Sequence, residues 1–108
     1  MTNARYSASI ESVAVDTDVE NGCDTIDYGD FAQGMVHIPA GSSLTTLTWY
    51  SSTKSDGTYL PADDASGTAV VQTVAARQSY PIPASLSGAR FLRITGDAEG
   101  VVGITMKD

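Results

Sequence analysis

The chain has 108 residues and a formal charge of −7, from 13 acidic against 6 basic side chains. That length is one domain's worth, and a surface so poor in Lys and Arg repels phosphate backbones and anionic lipid, so neither direct nucleic-acid binding nor membrane-surface binding is expected. Charged residues make up 18% and apolar residues 42%, with Ser, Thr, Ala and Gly abundant, a mix that suits strands and turns better than surface helices built on Glu, Lys and Arg. Cys23 is the single cysteine, so no intrachain disulfide forms and a reducing compartment is expected. Met1 to Ser9 is polar and shows no basic start followed by an apolar stretch, and no run reaches membrane-spanning length; synthesis in the cytoplasm is the expectation.

In chain order, residues 1–7 read as a polar, flexible arm and residues 8–108 as one domain. Ile10, Val13 and Val15 suggest a first strand with imperfect alternation. An acidic loop follows, Asp16 to Asp30, with Asn21-Gly22 as a turn signal and Ile26 and Tyr28 alternating in a short strand. Met35 to Pro39 is a brief strand that the proline stops. In the next strand Leu47 and Trp49 share one face while Thr46, Thr48 and Tyr50 share the other. Asp56-Gly57 marks a hairpin, its residues chosen for tolerance of positive φ. Tyr59 to Pro61 is a short strand, Asp63 to Thr68 turns again, and Val70, Gln72 and Val74 alternate against Val71 and Thr73. The two Gly-Thr turns, at Gly57-Thr58 and Gly67-Thr68, predict a β-meander over this region. Pro81 and Pro83 rule out a central strand and predict a crossover, with a single helical turn at Ala84 to Leu86. Two closing strands place Leu92 and Ile94, then Val102, Ile104 and Met106, inward. Without a 3.6-residue period anywhere, the pattern predicts an all-β domain, a β-sandwich or jelly-roll-like fold of seven or eight short antiparallel strands.

Chemistry-bearing residues are few. His37 is the only histidine and lies within a strand; no G-x-S-x-G elbow exists and nothing in the sequence places a serine beside it, so an ordinary strand residue is the plainer reading than a Ser-His-Asp triad. Carboxylates around Cys23 raise its thiol pKa and weaken it as a nucleophile. One Cys and one His fall short of a tetrahedral zinc set. Asp16, Asp18 and Glu20 alternate, and Asp27 falls where the twelfth position of a calcium loop would, so these four are the candidate Ca²⁺ ligands; Gly22 is one position late for that loop, and a solvated acidic loop is the simpler reading. Asp63 and Asp64 are adjacent on a turn and diverge, which suits backbone capping and not a glycosidase pair. Trp49, Tyr50, Tyr59 and Tyr80 raise sugar stacking, but Trp49 shares its face with Leu47, which favours core or rim packing. No cofactor and no catalytic role are expected.

The segment from Val36 to Asp97 carries four ordered motifs: Pro39-x-Gly41-Ser42-Ser43-Leu44-Thr45, then Asp56-Gly57-Thr58-Tyr59-x-Pro61, then Asp64-x-x-Gly67, then Pro83-x-x-Leu86-x-Gly88-x-Arg90, with Trp49 on the strand between the first two. In this it resembles small all-β virion proteins of tailed bacteriophages, head decoration (cement) proteins in particular, over about two thirds of the chain. The resemblance implies a capsid-stabilising protein on the virion exterior, assembled in the host cytoplasm, that binds the major capsid protein and forms a homo-oligomer there. Tail or head-fibre structural components and carbohydrate-binding modules are the alternatives. Contacts are expected from the N-terminal arm, through Arg5 and Tyr6, and from the acidic loop, through Asp16, Asp18, Glu20 and Asp24.

Overall fold

The structure, a computed structural model, describes residues 7–29, 31–64, 66–86 and 88–107. Among them are nine strands: β1 (Ser7–Val15), β2 (Ile26–Asp27), β3 (Gln33–His37), β4 (Thr46–Ser52), β5 (Leu60–Pro61), β6 (Val71–Thr73), β7 (Ser79–Pro81), β8 (Phe91–Gly96) and β9 (Gly100–Lys107), with one 3₁₀ turn at Ala84–Leu86. They form two antiparallel sheets, ordered β1-β9-β3-β7 and β2-β8-β4-β5, with β6 also pairing β4. The chain crosses between the sheets at every connection except those joining β4, β5 and β6. Taking β5 and β6 together as one edge position, this is the double Greek key of a jelly roll. The expected all-β sandwich is therefore present, with nine strands in place of seven or eight.

Alternation along the strands builds the core. Leu47 and Trp49 from β4, Leu92 and Ile94 from β8, Ile26 from β2 and Tyr28 just beyond it meet Val13, Val15, Val36, Val102, Ile104 and Met106 from the facing sheet, all buried. Fully burying aliphatic side chains of this kind contributes about 1.5–3 kcal/mol each relative to exposure. The imperfect alternation of the first strand has a structural cause. Ile10 pairs Ile104 but Val13 pairs Val102, so Glu11 and Ser12 together oppose Gly103. One extra residue in β1 is a β-bulge, and it shifts the inward parity from even-numbered to odd-numbered residues.

Two predicted details need correction. The region from Thr46 to Val74 is not a side-by-side meander. Tyr50 and Ser51 pair Pro61 and Leu60, while Thr46 to Thr48 pair Thr73 to Val71, so β5 and β6 lie in line along one edge of β4. Trp49 joins them, its carbonyl accepting from the Ala62 N–H at 2.9 Å and its N–H donating to the Val70 carbonyl at 3.2 Å. The intervening residues leave this edge as a loop closed by the Asp63–Ala69 bridge. The second correction concerns Asp56-Gly57. The turn closes by the Gly57 N–H donating to the Lys54 carbonyl at 3.1 Å, and neither Asp56 nor Gly57 has positive φ. Glycine sits at the last turn position, where type I turns also favour it; an added Cβ would come within 2.9 Å of Ser52 Oγ.

The segment read as a crossover is in part a strand: Ser79–Pro81 form β7, an edge strand paired with β3, where a proline costs no shared ladder bond, while the expected single turn at Ala84–Leu86 is present and buries Leu86. Gln72 joins the two sheets near this side. Its amide oxygen accepts from the Trp49 indole N–H at 2.8 Å, and its amide nitrogen donates to the Pro81 carbonyl at 2.9 Å. The buried indole thereby keeps a polar partner, as buried Trp generally requires.

Candidate interaction surface

The acidic loop links β1 in one sheet to β2 in the other. Its path is set by several attachments. Asp16 bridges Thr95, and the Gly96 N–H donates to the Asp16 carbonyl at 3.0 Å. Asp24 and Ala14 bond reciprocally: the Asp24 N–H donates to the Ala14 carbonyl at 3.1 Å and the Ala14 N–H donates to Asp24 Oδ2 at 2.9 Å. Gly22 takes φ 94°, the left-handed conformation that favours glycine. Any Cβ there would also collide with the Asp16 carboxylate.

The central anchor is Arg93, on the outer face of β8. Its Nε donates to Thr25 Oγ1 at 2.9 Å and Nη1 to the Val19 carbonyl at 3.0 Å, both in the loop. Nη2 reaches the Ser55 carbonyl in the β4–β5 turn at 3.5 Å. The guanidinium lies 4.1 Å from the centre of the Tyr59 ring, a cation–π stack. Tyr59 in turn donates its hydroxyl to the Ser55 carbonyl at 2.9 Å. One rigid five-donor fork thus ties the loop to the hairpin. With Leu92 and Ile94 inward, alternation leaves Arg93 outward, but its hydrogen-bond partners lie 38 to 74 residues away in the chain, and no local spacing reveals them.

Cys23 adds a second anchor. Its thiol lies 3.1 Å from the Ile94 carbonyl and 3.4 Å from the Asp18 carbonyl. Burial is the main reason its pKa is pushed up, with the charges of Asp16 and Asp18 adding to the effect. The expected direction stands, but desolvation outweighs the carboxylates that the sequence brought to mind.

The four candidate calcium ligands are not gathered. Asp16 Oδ1 accepts from the Thr17 N–H at 2.6 Å, Asp18 Oδ1 from the Glu20 N–H at 3.0 Å, and Asp27 Oδ1 from the Gly29 N–H at 3.2 Å. Among the described residues, no three His, Cys, Asp or Glu side chains are placed to hold a metal ion. These carboxylates serve as turn acceptors, the local side-chain chemistry that competes with long-range ligation. The hydrogen bond from the Asn21 amide, followed by that from the Glu20 N–H, holds the Asp18 carboxyl below its ordinary pKa. Of the proposed contact residues, Asp18, Glu20 and Asp24 are exposed and Asp16 is half-buried. Arg5 and Tyr6 lie outside the described residues.

On the outer face of the other sheet, His37 stands between two hydroxyls. Its Nδ1 is 2.8 Å from Ser79 Oγ and its Nε2 3.1 Å from Thr105 Oγ1. A serine therefore does sit beside the histidine, brought there by the β3–β7 pairing of His37 with Ser79. A triad needs a carboxylate on the second ring nitrogen, and that place is taken by Thr105. Asp64 caps its turn as expected, whereas Asp63 joins Ala69 in an isolated backbone bridge. Asp64 Oδ1 accepts from the Ser66 N–H at 2.9 Å, the Ser66 hydroxyl at 2.7 Å and the Thr68 N–H at 3.1 Å. Trp49 is 0% exposed and Tyr59 7%, so neither presents a face on which a sugar could stack.

No protein-family model matches this sequence, and no curated protein matches it. Among solved structures, the fold is similar to that of the SPBc2 prophage-derived protein YomS, with a TM-score of 0.59 and 10% identity, covering 100% of this chain and 98% of that one.

Proposed function

We propose that this chain is a structural protein of a bacteriophage virion, a decoration or cement protein that binds the major capsid protein on the outside of the head and stabilises the shell. The observation that carries the reading is the end-to-end similarity of fold to a prophage-derived protein. The four phage-like turn motifs between Pro39 and Arg90 add to it. A jelly roll with short loops suits a docking unit that performs no reaction and needs no cofactor.

The acidic loop is the contact surface in this reading, with Asp16, Asp18, Glu20 and Asp24 facing the capsid subunit and Arg5 and Tyr6 adding contacts from the arm. Arg93, Cys23 and the Asp24–Ala14 pair hold the loop in place before binding. Pre-ordering of this kind lowers the entropy lost on association. Repetition of symmetric oligomers across a shell then turns modest individual contacts into firm attachment. Because Trp49 and Tyr59 are buried, a carbohydrate-binding role is left with only the half-buried Tyr50 and Tyr80 rings.

The test is co-sedimentation of the purified chain with expanded capsids that lack it. Binding is expected, together with a rise in the temperature at which the capsids come apart. Chain left wholly in the supernatant would overturn the proposal.

A further inference from the structure

Among the described residues, three of the four sheet edges are short or carry proline. β2 has two residues, β7 has three and includes Pro81, and the β5–β6 edge includes Pro61 and is interrupted by the Asp63–Ala69 loop. Such features keep an edge from recruiting another strand. β1 differs: it has nine residues, contains neither proline nor lysine, and on its outer side pairs with no strand among the described residues. We propose that this edge pairs with β1 of a second copy, antiparallel across a two-fold axis at Ser9, so that the two β1-β9-β3-β7 sheets become one continuous sheet.

The hydrogen-bond parity of the sheet fixes which backbone groups face outward. The Ile82 N–H donates to the Gly34 carbonyl at 2.8 Å and the Ile38 N–H to the Gln78 carbonyl at 2.9 Å, so even-numbered residues of β3 face β7, while Gln33, Met35 and His37 face β9. Their partners Lys107, Thr105 and Gly103 are turned toward β3, which leaves Ile104 and Met106 to bond Ile10 and Ala8 of β1. Ser7 and Ser9 therefore turn their N–H and C=O groups away from β9, toward the open edge. Farther along β1, the N–H and C=O of Ala14 are already bonded to Asp24, so pairing is confined to the stretch before the bulge.

That stretch is complementary to itself, which is what identifies the second copy as the partner. With Ser9 opposite its own counterpart, Ser7 falls opposite Glu11 and Ala8 opposite Ile10. Ala8 and Ile10 are half-buried against the core, and as non-hydrogen-bonded partners across the axis their Cα atoms come within about 4.5 Å, covering the apolar margin of each core. Ala8 leaves room for the larger side chain, since it lies on the wall of a cleft of about 560 Å³ shared with Gly34, Ile82 and Met106. On the other face Glu11, the one charged residue of β1, meets serine and no like charge. An axis at Glu11 would set two carboxylates against each other, and one at Ala8 or Ile10 would present groups already bonded to β9. Pairing consumes the open edge of both copies, so assembly closes at a symmetric dimer. The dimer does not depend on the decoration reading, and capsid binding and dimerisation can fail separately.

Sedimentation equilibrium of the full chain tests the pairing, and a monomer–dimer equilibrium is expected. Ser9→Pro removes the N–H at the axis and leaves the β9 ladder intact, because proline is tolerated where an edge N–H faces outward; it is expected to weaken dimerisation about tenfold or more. Ser7 is exposed, so Ser7→Glu and Ser7→Lys keep the test decisive should the proline variant fold poorly. Opposite Glu11, the first is expected to weaken the dimer and the second to tighten it, each by about threefold to tenfold. Amide exchange at Ser7 and Ser9 is expected to slow as chain concentration rises, with Ala14 unchanged. A full chain that stays monomeric at millimolar concentration would overturn the pairing. So would a dimer indifferent to Ser9→Pro, a shift of the same sign from both Ser7 variants, or exchange at Ser7 and Ser9 that ignores concentration.

Discussion

Asp97 shows how one exposed carboxylate can organise the start of a strand. It accepts from the Thr45 hydroxyl at 2.5 Å and from the Thr45 and Thr46 N–H groups at 3.0 and 3.3 Å. The Thr45 hydroxyl first, then the Thr45 N–H, lowers its pKa from 3.8 to about 2. A folded-state pKa below the unfolded value means that the stabilising contribution is complete above the unfolded pKa. It is lost as pH falls through the folded one, here between about 4 and 2. Asp18 and Asp64, also lowered by hydrogen bonds, act in the same direction. Melting temperature is expected to drop across that window, and Asp97→Asn is expected to start lower at neutral pH and to drop less. An identical acid dependence in the variant would show that Asp97 does not supply it. Arg93 is the other residue on which much local structure converges. Arg93→Ala removes three hydrogen bonds and a ring contact, and a cost of about 1–3 kcal/mol is expected. The more specific sign is faster amide exchange in the Val19–Thr25 segment with the β8–β9 core unchanged. Uniform acceleration over the whole chain would mean that Arg93 supports the domain and not the loop.

At the scale of elements, the strands that alternate cleanly are those legible in the sequence. Leu47 with Trp49, Leu92 with Ile94, and Val102 with Ile104 and Met106 all point inward as their spacing indicates. Pro81 is on an edge because its missing N–H cannot serve two neighbours. What sequence reading missed are the pairings between distant segments. Nothing local to Leu60 or Val71 says that both will line the same side of β4, and the stretch reads as a meander because turn residues separate them. Likewise Ser79 reaches His37 only through sheet order, and Arg93 reaches Val19 only because the jelly roll folds the acidic loop over β8. The in-line β5 and β6 leave the sandwich dependent on Gln72, which spans from the buried indole to the opposite sheet. Gln72→Leu is expected to destabilise the domain by about 1–3 kcal/mol by stranding the Trp49 N–H, with a shifted tryptophan emission as the local readout. Wild-type stability together with unchanged emission would show that the link contributes nothing.

For the whole molecule, topology governs how the chain assembles and what it is suited to do. Ser7 pairs Lys107, and β9 lies between β1 and β3, so the first sheet cannot close until the last strand arrives. Loop-closure entropy must be offset before such contacts form, and folding on a millisecond-to-second scale is expected. Stopped-flow emission from buried Trp49 measures this, and microsecond folding would contradict a first sheet that closes only through its terminal strands. The finished domain has a buried apolar interior, an acidic loop tied down at several points and an edge interrupted by the Asp63–Ala69 loop, which discourages open-ended sheet growth. Those properties suit the docking role proposed for this chain. The most direct measurement is a reconstruction of the intact virion with the density of this chain assigned. The expected result is a jelly roll seated outside the head at junctions between major capsid subunits, with the Asp16–Asp24 loop against the shell. Particles whose heads carry no such density, or which place this chain in the tail, would contradict it.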